Sequence, residues 1–370
     1  RSSPAVSADT SSCVFFSAAA RAFWLIFSRS SLKGFAFVVM IVGRMLLTAA
    51  INFWRSINPP PLPPPTVGFG VLPKIEFPTQ TEADRPKSYR LETALGSRLP
   101  ELDTDRAKVF LAPLSEPSLL ADQEVKRIAA TYGFIFQPEL LDSRTYRWTK
   151  VGSLNSSLEI DLQTKNFSLK TNYLSKPELV TGGNRLPEEF EAVRRVKSFL
   201  DRADLLPVDV ATSAGEVVFL KSLGGQLETA FSLSDADFLQ INLDRGAVDD
   251  RYQMYSTNPK QGVISAVFSG VLSGQESIVD VEYHYRPVDY TQVETYPLRS
   301  TKSAWQVLQA GEGYVAYKGT SDQAVVRQVE LGYYEDWLYE QEYLQPIYVF
   351  IGDNDFVGYV QAVDPQYVSQ

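Results

Sequence analysis

From Gly34 to Trp54 the chain reads GFAFVVMIVGRMLLTAAINFW, 21 residues with one charge, Arg44, and a polyproline segment begins a few residues later. About 20 apolar residues in a helix cover the roughly 30 Å of a bilayer's hydrocarbon. A helix apolar on every face also has no polar side to show to water. Arg44 at mid-span costs about 2.5–3.5 kcal/mol, and the run's ten Phe, Val, Ile and Leu residues offset this by about 3–6 kcal/mol. Insertion is therefore expected over residues 34–54. Phe35 and Arg44 fall inside the span, and Trp54 and Arg55 close it as an interfacial anchor. A buried core helix is the alternative, but polyproline at once ends any packed neighbourhood. A cleaved signal peptide is a second alternative, and no A-x-A-like site ends the run.

The flanks set the expected orientation. Arg21, Arg29 and Lys33 precede the run, whereas only Arg55 and the more distant Lys74 follow it. The positive-inside rule places the N-terminus in the cytoplasm and the remainder outside a plasma membrane, as a single-pass protein. Asn58-Pro59-Pro60-Pro61-Leu62-Pro63-Pro64-Pro65 is expected to be a polyproline II stalk about 25 Å long, at 3.1 Å per residue. The first methionines are Met40 and Met45, so residues 1–33 are assigned to a cytoplasmic or untranslated N-terminal segment. Residues 34–54 are then the transmembrane helix, and 55–78 the stalk and lead-in. Residues 79–175 and 176–370 form two lobes divided in the Pro/Gly-containing stretch 174–185.

Charge and rare residues exclude several functions. Six Lys/Arg stand against one acid, Asp9, before residue 67, which leaves the rest of the chain at −14. Such a body repels nucleic-acid phosphates, so no nucleic-acid partner is expected. One cysteine (Cys13) and one histidine (His284) are too few for a Cys/His zinc site, an iron–sulfur cluster, a disulfide framework or a thiol–imidazole pair. No cofactor is expected.

The body reads as strands interrupted by three helices. Apolar spacing and end signals place helices at 119–132, 187–200 and 303–309. Strands are expected at 145–150, 157–162, 167–172, 217–222, 228–233, 238–243, 263–272, 277–285, 292–298, 314–318, 324–334, 345–351 and 356–363. Without βαβ alternation this is an α+β fold, mainly antiparallel, in two lobes with one principal helix each.

The tail carries a resemblance. Ala304-Trp305-Gln306-Val307-Leu308, Gly311-Glu312-Gly313-Tyr314 and Val329-Glu330-Leu331-Gly332-Tyr333-Tyr334 come in that order. Tyr343-Leu344-Gln345-Pro346-Ile347-Tyr348-Val349-Phe350 and Tyr359-Val360-Gln361-Ala362-Val363 follow. The series resembles the C-terminal domain of YycH and YycI proteins and related PepSY-like modules. The order of span, stalk and ectodomain also resembles uncharacterised anchored proteins of candidate-phylum bacteria. The likeness covers residues 34–78 and 187–364. It implies a single-span extracytoplasmic protein that modulates a sensor histidine kinase through membrane contacts, and it carries no active site across.

The remaining candidates for chemistry are few. Glu282 and His284 share one face of a strand and suit a polar pair better than a metal half-site, since no second histidine exists. Asp353-Asn354-Asp355 lacks the oxygens and spacing of a calcium loop and fits a hairpin turn at positive φ. Asp235, Asp237, Asp249 and Asp250 are expected to be solvated loop acids. Tyr333, Tyr334, Asp336, Trp337, Tyr339 and Tyr343 form the densest aromatic–acidic stretch, a candidate binding surface for carbohydrate or a cationic peptide if exposed. The competing account is a strand ending in a solvated loop. G-x-S-x-G, Walker and G-x-G-x-x-G motifs are absent, and Ser30-Ser31-Leu32-Lys33 matches S-x-x-K without its companions. The expected function is a non-enzymatic, membrane-anchored binding or regulatory protein of the cell envelope. Its partners are the lipid bilayer and another membrane or envelope protein. The rival is an anchored glycan-binding or glycan-hydrolysing protein with a carboxylate and aromatic surface.

Overall fold

The computed structural model describes residues 32–57, 63–116, 118–181, 185–336 and 340–369, with side chains of the first helix described over 40–54. Two compact units divide the chain, Arg1–Pro64 and Pro65–Gln370. In the first, helix α1 covers Leu32–Ile57. Met45, Leu46, Leu47, Phe53 and Trp54 are all more than 60% exposed on it. Among the described residues no helix is long and apolar enough to cross a membrane.

The second unit begins with β1 (Ser88–Leu91), β2 (Arg106–Leu111) and helix α2 (Ala121–Thr131). Four strands follow: β3 (Glu139–Leu140), β4 (Thr145–Lys150), β5 (Ser156–Asp161) and β6 (Phe167–Thr171). Helix α3 (Glu189–Asp201) and the single turn α4 (Val208–Ala211) lead to β7 (Glu216–Leu223), β8 (Gln226–Thr229) and β9 (Phe238–Leu243). Next come β10 (Met254–Tyr255), β11 (Ile264–Ser269), β12 (Ile278–Tyr283), β13 (Asp289–Pro297) and helix α5 (Thr301–Gln309). The chain ends through β14 (Tyr314–Tyr317), β15 (Gln323–Tyr334), β16 (Tyr343–Gly352) and β17 (Val357–Gln361).

One sheet has nine strands in the order β3-β4-β5-β6-β12-β11-β9-β7-β8, and every neighbouring pair is antiparallel. Alternation along β9 shows its pleat. Leu239, Ile241 and Leu243 meet α2 and α3 through Val125, Ile128, Val196 and Phe199, while Phe238 faces Tyr173, Val180 and Val279 on the other side.

The other sheet has eight strands around β16, which pairs antiparallel with β15 and β17. β1 and β10 join β15 in parallel, β14 lies outside β17, and β2 links the start of β16 to β13. Tyr348 and Phe350 face Ala304, Trp305 and Leu308 of α5, whereas Ile347 and Val349 face Tyr314, Tyr334 and Tyr359. Pro346 sits inside this central strand although it has no N–H to give. Its carbonyl still accepts from the Ala362 N–H at 3.0 Å.

The mixed α+β class with mainly antiparallel sheet is as expected, and its partition is different. The stretch 174–185 does not separate lobes, because β6 before it pairs with β12 after it. Both α2 and α3 pack on the nine-stranded sheet, so the helices are not shared one per lobe. Lead-in residues 66–78 belong to the body: Leu72 and Ile75 are buried, and Leu72 forms a parallel bridge with Val368. The strands at 88–91 and 106–111 went unrecognised because their partners, β15 and β13, lie far along the chain.

Candidate functional site

The aromatic–acidic stretch does not form an exposed surface. Tyr333 and Tyr334 are wholly buried and Asp336 nearly so, Tyr343 is half-buried against Phe69, and Trp337 and Tyr339 lie outside the described residues. The end of β15 has β10 and β16 on its two edges, and both of its faces are packed: Tyr333 against Phe110, Val248 and Leu344, and Tyr334 against Ile75, Tyr314 and Tyr359. The Tyr333 hydroxyl donates to the Lys108 carbonyl at 2.9 Å and that of Tyr334 to Asp336 Oδ2 at 3.0 Å. Burial pushes both phenols well above their usual range. Of the proposed anchor residues, Arg44 and Trp54 are exposed on α1, and the side chains of Phe35 and Arg55 lie outside those described.

The next residue, Glu335, enters a buried ion cluster. Arg245, directly beyond β9, has no exposed side-chain surface. Its Nε and Nη2 donate to the two Glu335 oxygens at 2.7 Å each, and Nη1 donates to Asp209 Oδ2 on α4 at 2.6 Å. Nη2 also donates to the Arg286 carbonyl, and the guanidinium lies 4.3 Å from the centre of the Tyr285 ring. Burial alone would weaken the charge; the Glu335 and Asp209 carboxylates more than offset that and hold Arg245 firmly protonated. This fork ties the nine-stranded sheet to the eight-stranded one. The sequence gives no sign of it, since residues 209, 245 and 335 share no motif.

The single histidine stands in a polar ladder. His284 Nε2 is 3.4 Å from Glu282, which also meets Lys170 at 2.8 Å and the Ser168 hydroxyl at 3.1 Å across the sheet. Burial acts against the Glu282 charge, but the bonds from His284 and Lys170 bring its carboxyl down to about 2. Nearby Asp280 lacks such donors, and burial raises it to about 6. Asp353-Asn354-Asp355 is a tight turn with positive φ at Asn354 and Asp355, and Asp353 pairs with Arg327. Asp235 and Asp249 are exposed and pair with Lys221 and Lys108; Asp250 is exposed as well, and half-buried Asp237 accepts from the Ser222 N–H. Among the described residues no three His, Cys, Asp or Glu side chains are grouped to hold a metal.

A cleft of about 210 Å³ lies beside the nine-stranded sheet. Its apolar wall comes from the end of α2 (Tyr132, Phe134), Phe199 of α3, Leu169 of β6 and Ile278 of β12, all buried. Tyr132 and Phe199 stack with centroids 4.2 Å apart and planes 5° from parallel. The polar side has Ser156 and Thr171, whose hydroxyls lie 3.2 Å apart, and Gln275, which donates to the Thr131 carbonyl. At its rim Lys150 of β4 meets Glu276 at 3.2 Å, with side chains 45% and 72% exposed. Around it the chain leaves Ile135, Phe136 and Val151 more than 70% exposed. Helical periodicity marked Tyr132 as a buried position, but nothing local placed it beside Lys150 or Glu276.

No family model matches the chain, and no curated protein matches it. Among solved structures, an uncharacterised protein from Eubacterium rectale ATCC 33656 aligns with a TM-score of 0.33 and 12% identity, over 70% of this chain and 78% of that one. At that score the likeness assigns neither fold nor function.

Proposed function

We propose that the chain is a membrane-tethered, extracytoplasmic binding or regulatory protein of the cell envelope that performs no chemistry of its own. The carrying observation is the sequence run from Gly34 to Trp54, 21 residues with the single charge Arg44, which lies within α1 and leaves Met45, Leu46, Leu47, Phe53 and Trp54 exposed. A bilayer is the medium that covers such a surface. Arg21, Arg29 and Lys33 before the run, against Arg55 and the more distant Lys74 after it, support an outward-facing body. The YycH- and YycI-like order of tail motifs belongs to the same proposal, with a neighbouring membrane protein as partner. The glycan reading loses its surface, because Tyr333, Tyr334 and Asp336 are buried.

Fractionation of cells producing the full chain tests the proposal. The chain should stay in the membrane pellet after alkaline carbonate and be digested by protease added outside spheroplasts. Val42→Glu with Leu46→Glu should release it. A full chain that is soluble without detergent, or a body protected from external protease, would overturn the proposal.

A further inference from the structure

We propose that the cleft between α2, α3 and the nine-stranded sheet binds a free α-amino acid with an apolar side chain. Two features of different kind meet there. One wall is apolar, built on Tyr132, Phe199 and Leu169, and faces a polar side with Ser156, Thr171 and Gln275. The rim offers one cation and one anion, Lys150 and Glu276, 3.2 Å apart and contributed by separate elements. A ligand that answers both must carry a carboxylate and an ammonium close together on one end and an apolar group on the other. An α-amino acid has its two charges on a single carbon.

The existing ion pair does not oppose this. Exposed pairs contribute about 0–1 kcal/mol, so exchanging one pair for two costs little. A monoanion would leave Glu276 repelling it, and a monocation would leave Lys150 doing the same. A volume of about 210 Å³ suits a compact molecule rather than a polymer. The exposed apolar side chains of Ile135, Phe136 and Val151 stand next in sequence to cleft residues Phe134, Lys150 and Gly152. An apolar ligand gives that otherwise solvated surface a partner.

This inference does not depend on the tether. Calorimetric titration of the full chain in detergent reads the cleft whether or not the fractionation supports an anchor. L-Phenylalanine and L-leucine should each bind saturably at one site. Phenethylamine and 3-phenylpropanoate, each with one of the two charges, should bind about tenfold more weakly, the loss of about 1.4 kcal/mol. Glu276→Gln should weaken phenylalanine about tenfold while sparing 3-phenylpropanoate, and Lys150→Gln should do so while sparing phenethylamine. The two side chains are 45% and 72% exposed, and unchanged melting of each variant confirms the fold. Absence of saturable binding by phenylalanine and leucine overturns the proposal. So does binding that neither substitution alters, or single-charge analogues that match the amino acids.

Discussion

The two sheets of the body solve the same packing problem with different chain economies. The nine-stranded sheet takes all its strands from Glu139 to Tyr283, and several neighbours are hairpins, as in β3 to β6 and β7 to β8. The eight-stranded sheet joins Ser88 to Gln323 and Leu111 to Tyr343. Closing such loops costs conformational entropy before any contact compensates for it, so the second sheet depends on the chain between its strands already being folded. Arg245 lies where that dependence is concentrated, because its guanidinium leaves one sheet and ends on a carboxylate of the other.

The largest expected effect breaks that tie. Arg245→Met leaves Glu335 and Asp209 without their cation and should destabilise by about 3–5 kcal/mol in urea unfolding. Trp148 reports on the nine-stranded sheet and Trp305 on the eight-stranded one. The two signals should separate in the variant, with the eight-stranded sheet unfolding first. A single shared transition would refute the role given to Arg245. Adding Glu335→Leu and Asp209→Leu should recover much of the loss, since apolar replacements of a buried ion cluster are often neutral.

The second test sharpens the comparison by pH, within the nine-stranded sheet alone. Folded Asp280 keeps its proton up to about pH 6, against 3.8 for the ordinary group. Its effect is therefore a loss of stability as pH rises from about 4 to 6, present in full above that. Glu282 acts in the opposite sense and lower down: its contribution is complete above about pH 4.5 and is lost as pH falls toward 2. Asp280→Asn should remove the decline between pH 4 and 6 and stabilise at pH 7 by about 3 kcal/mol. A pH profile identical to the parent would show that Asp280 is not the group responsible.

Helices α2, α3 and α5, most strands of the nine-stranded sheet and β13 to β17 of the eight-stranded one were legible because periodicity and turns are local signals. The positive-φ turn at Asn354 and Asp355 was legible for the same reason. β1 and β2 were not, since short strands become strands only through partners two hundred residues away. The composition of the aromatic–acidic stretch suits a surface, and only distant residues packed on both faces of β15, Phe110 and Val248 against Tyr333 and Ile75 and Tyr359 against Tyr334, make these tyrosines core. The cleft was hidden by the same limit: periodicity shows that Tyr132 is buried, never what it is buried against.

Two smaller effects concern the edges of the eight-stranded sheet. Gln80 donates to the Val315 carbonyl at 2.6 Å and accepts from the Val315 N–H at 2.9 Å, so one side-chain amide fills the place of a strand beside β14. Gln80→Ala should cost about 1–2 kcal/mol for two hydrogen bonds and shift the Trp305 signal more than that of Trp148. Equal shifts in both would mean that the edge is not local to this sheet. The smallest effect is expected at Arg327, which is half exposed and meets Glu92 and Asp353 at 2.6 Å. Arg327→Ala should change stability by less than about 1 kcal/mol, and high salt should shrink that further; a larger loss would make this surface network a structural tie.

The lead-in segment has a mechanical consequence. Thr66 and Val67 are fastened to Thr295 of β13, Leu72 to Tyr367 and Ser369, Ile75 to Gln361 of β17, and Gln80 to β14. Tension entering at Pro65 meets these fastenings one after another. The strap resists in steps, with four hydrogen-bond contacts between Thr66–Val67 and Thr295, and with core burial added at Leu72 and Ile75. Force on the proline segment is thus met first at β13 and then at the C-terminal residues before it reaches β16 at Pro73, whose carbonyl accepts from Gln345 at 2.9 Å.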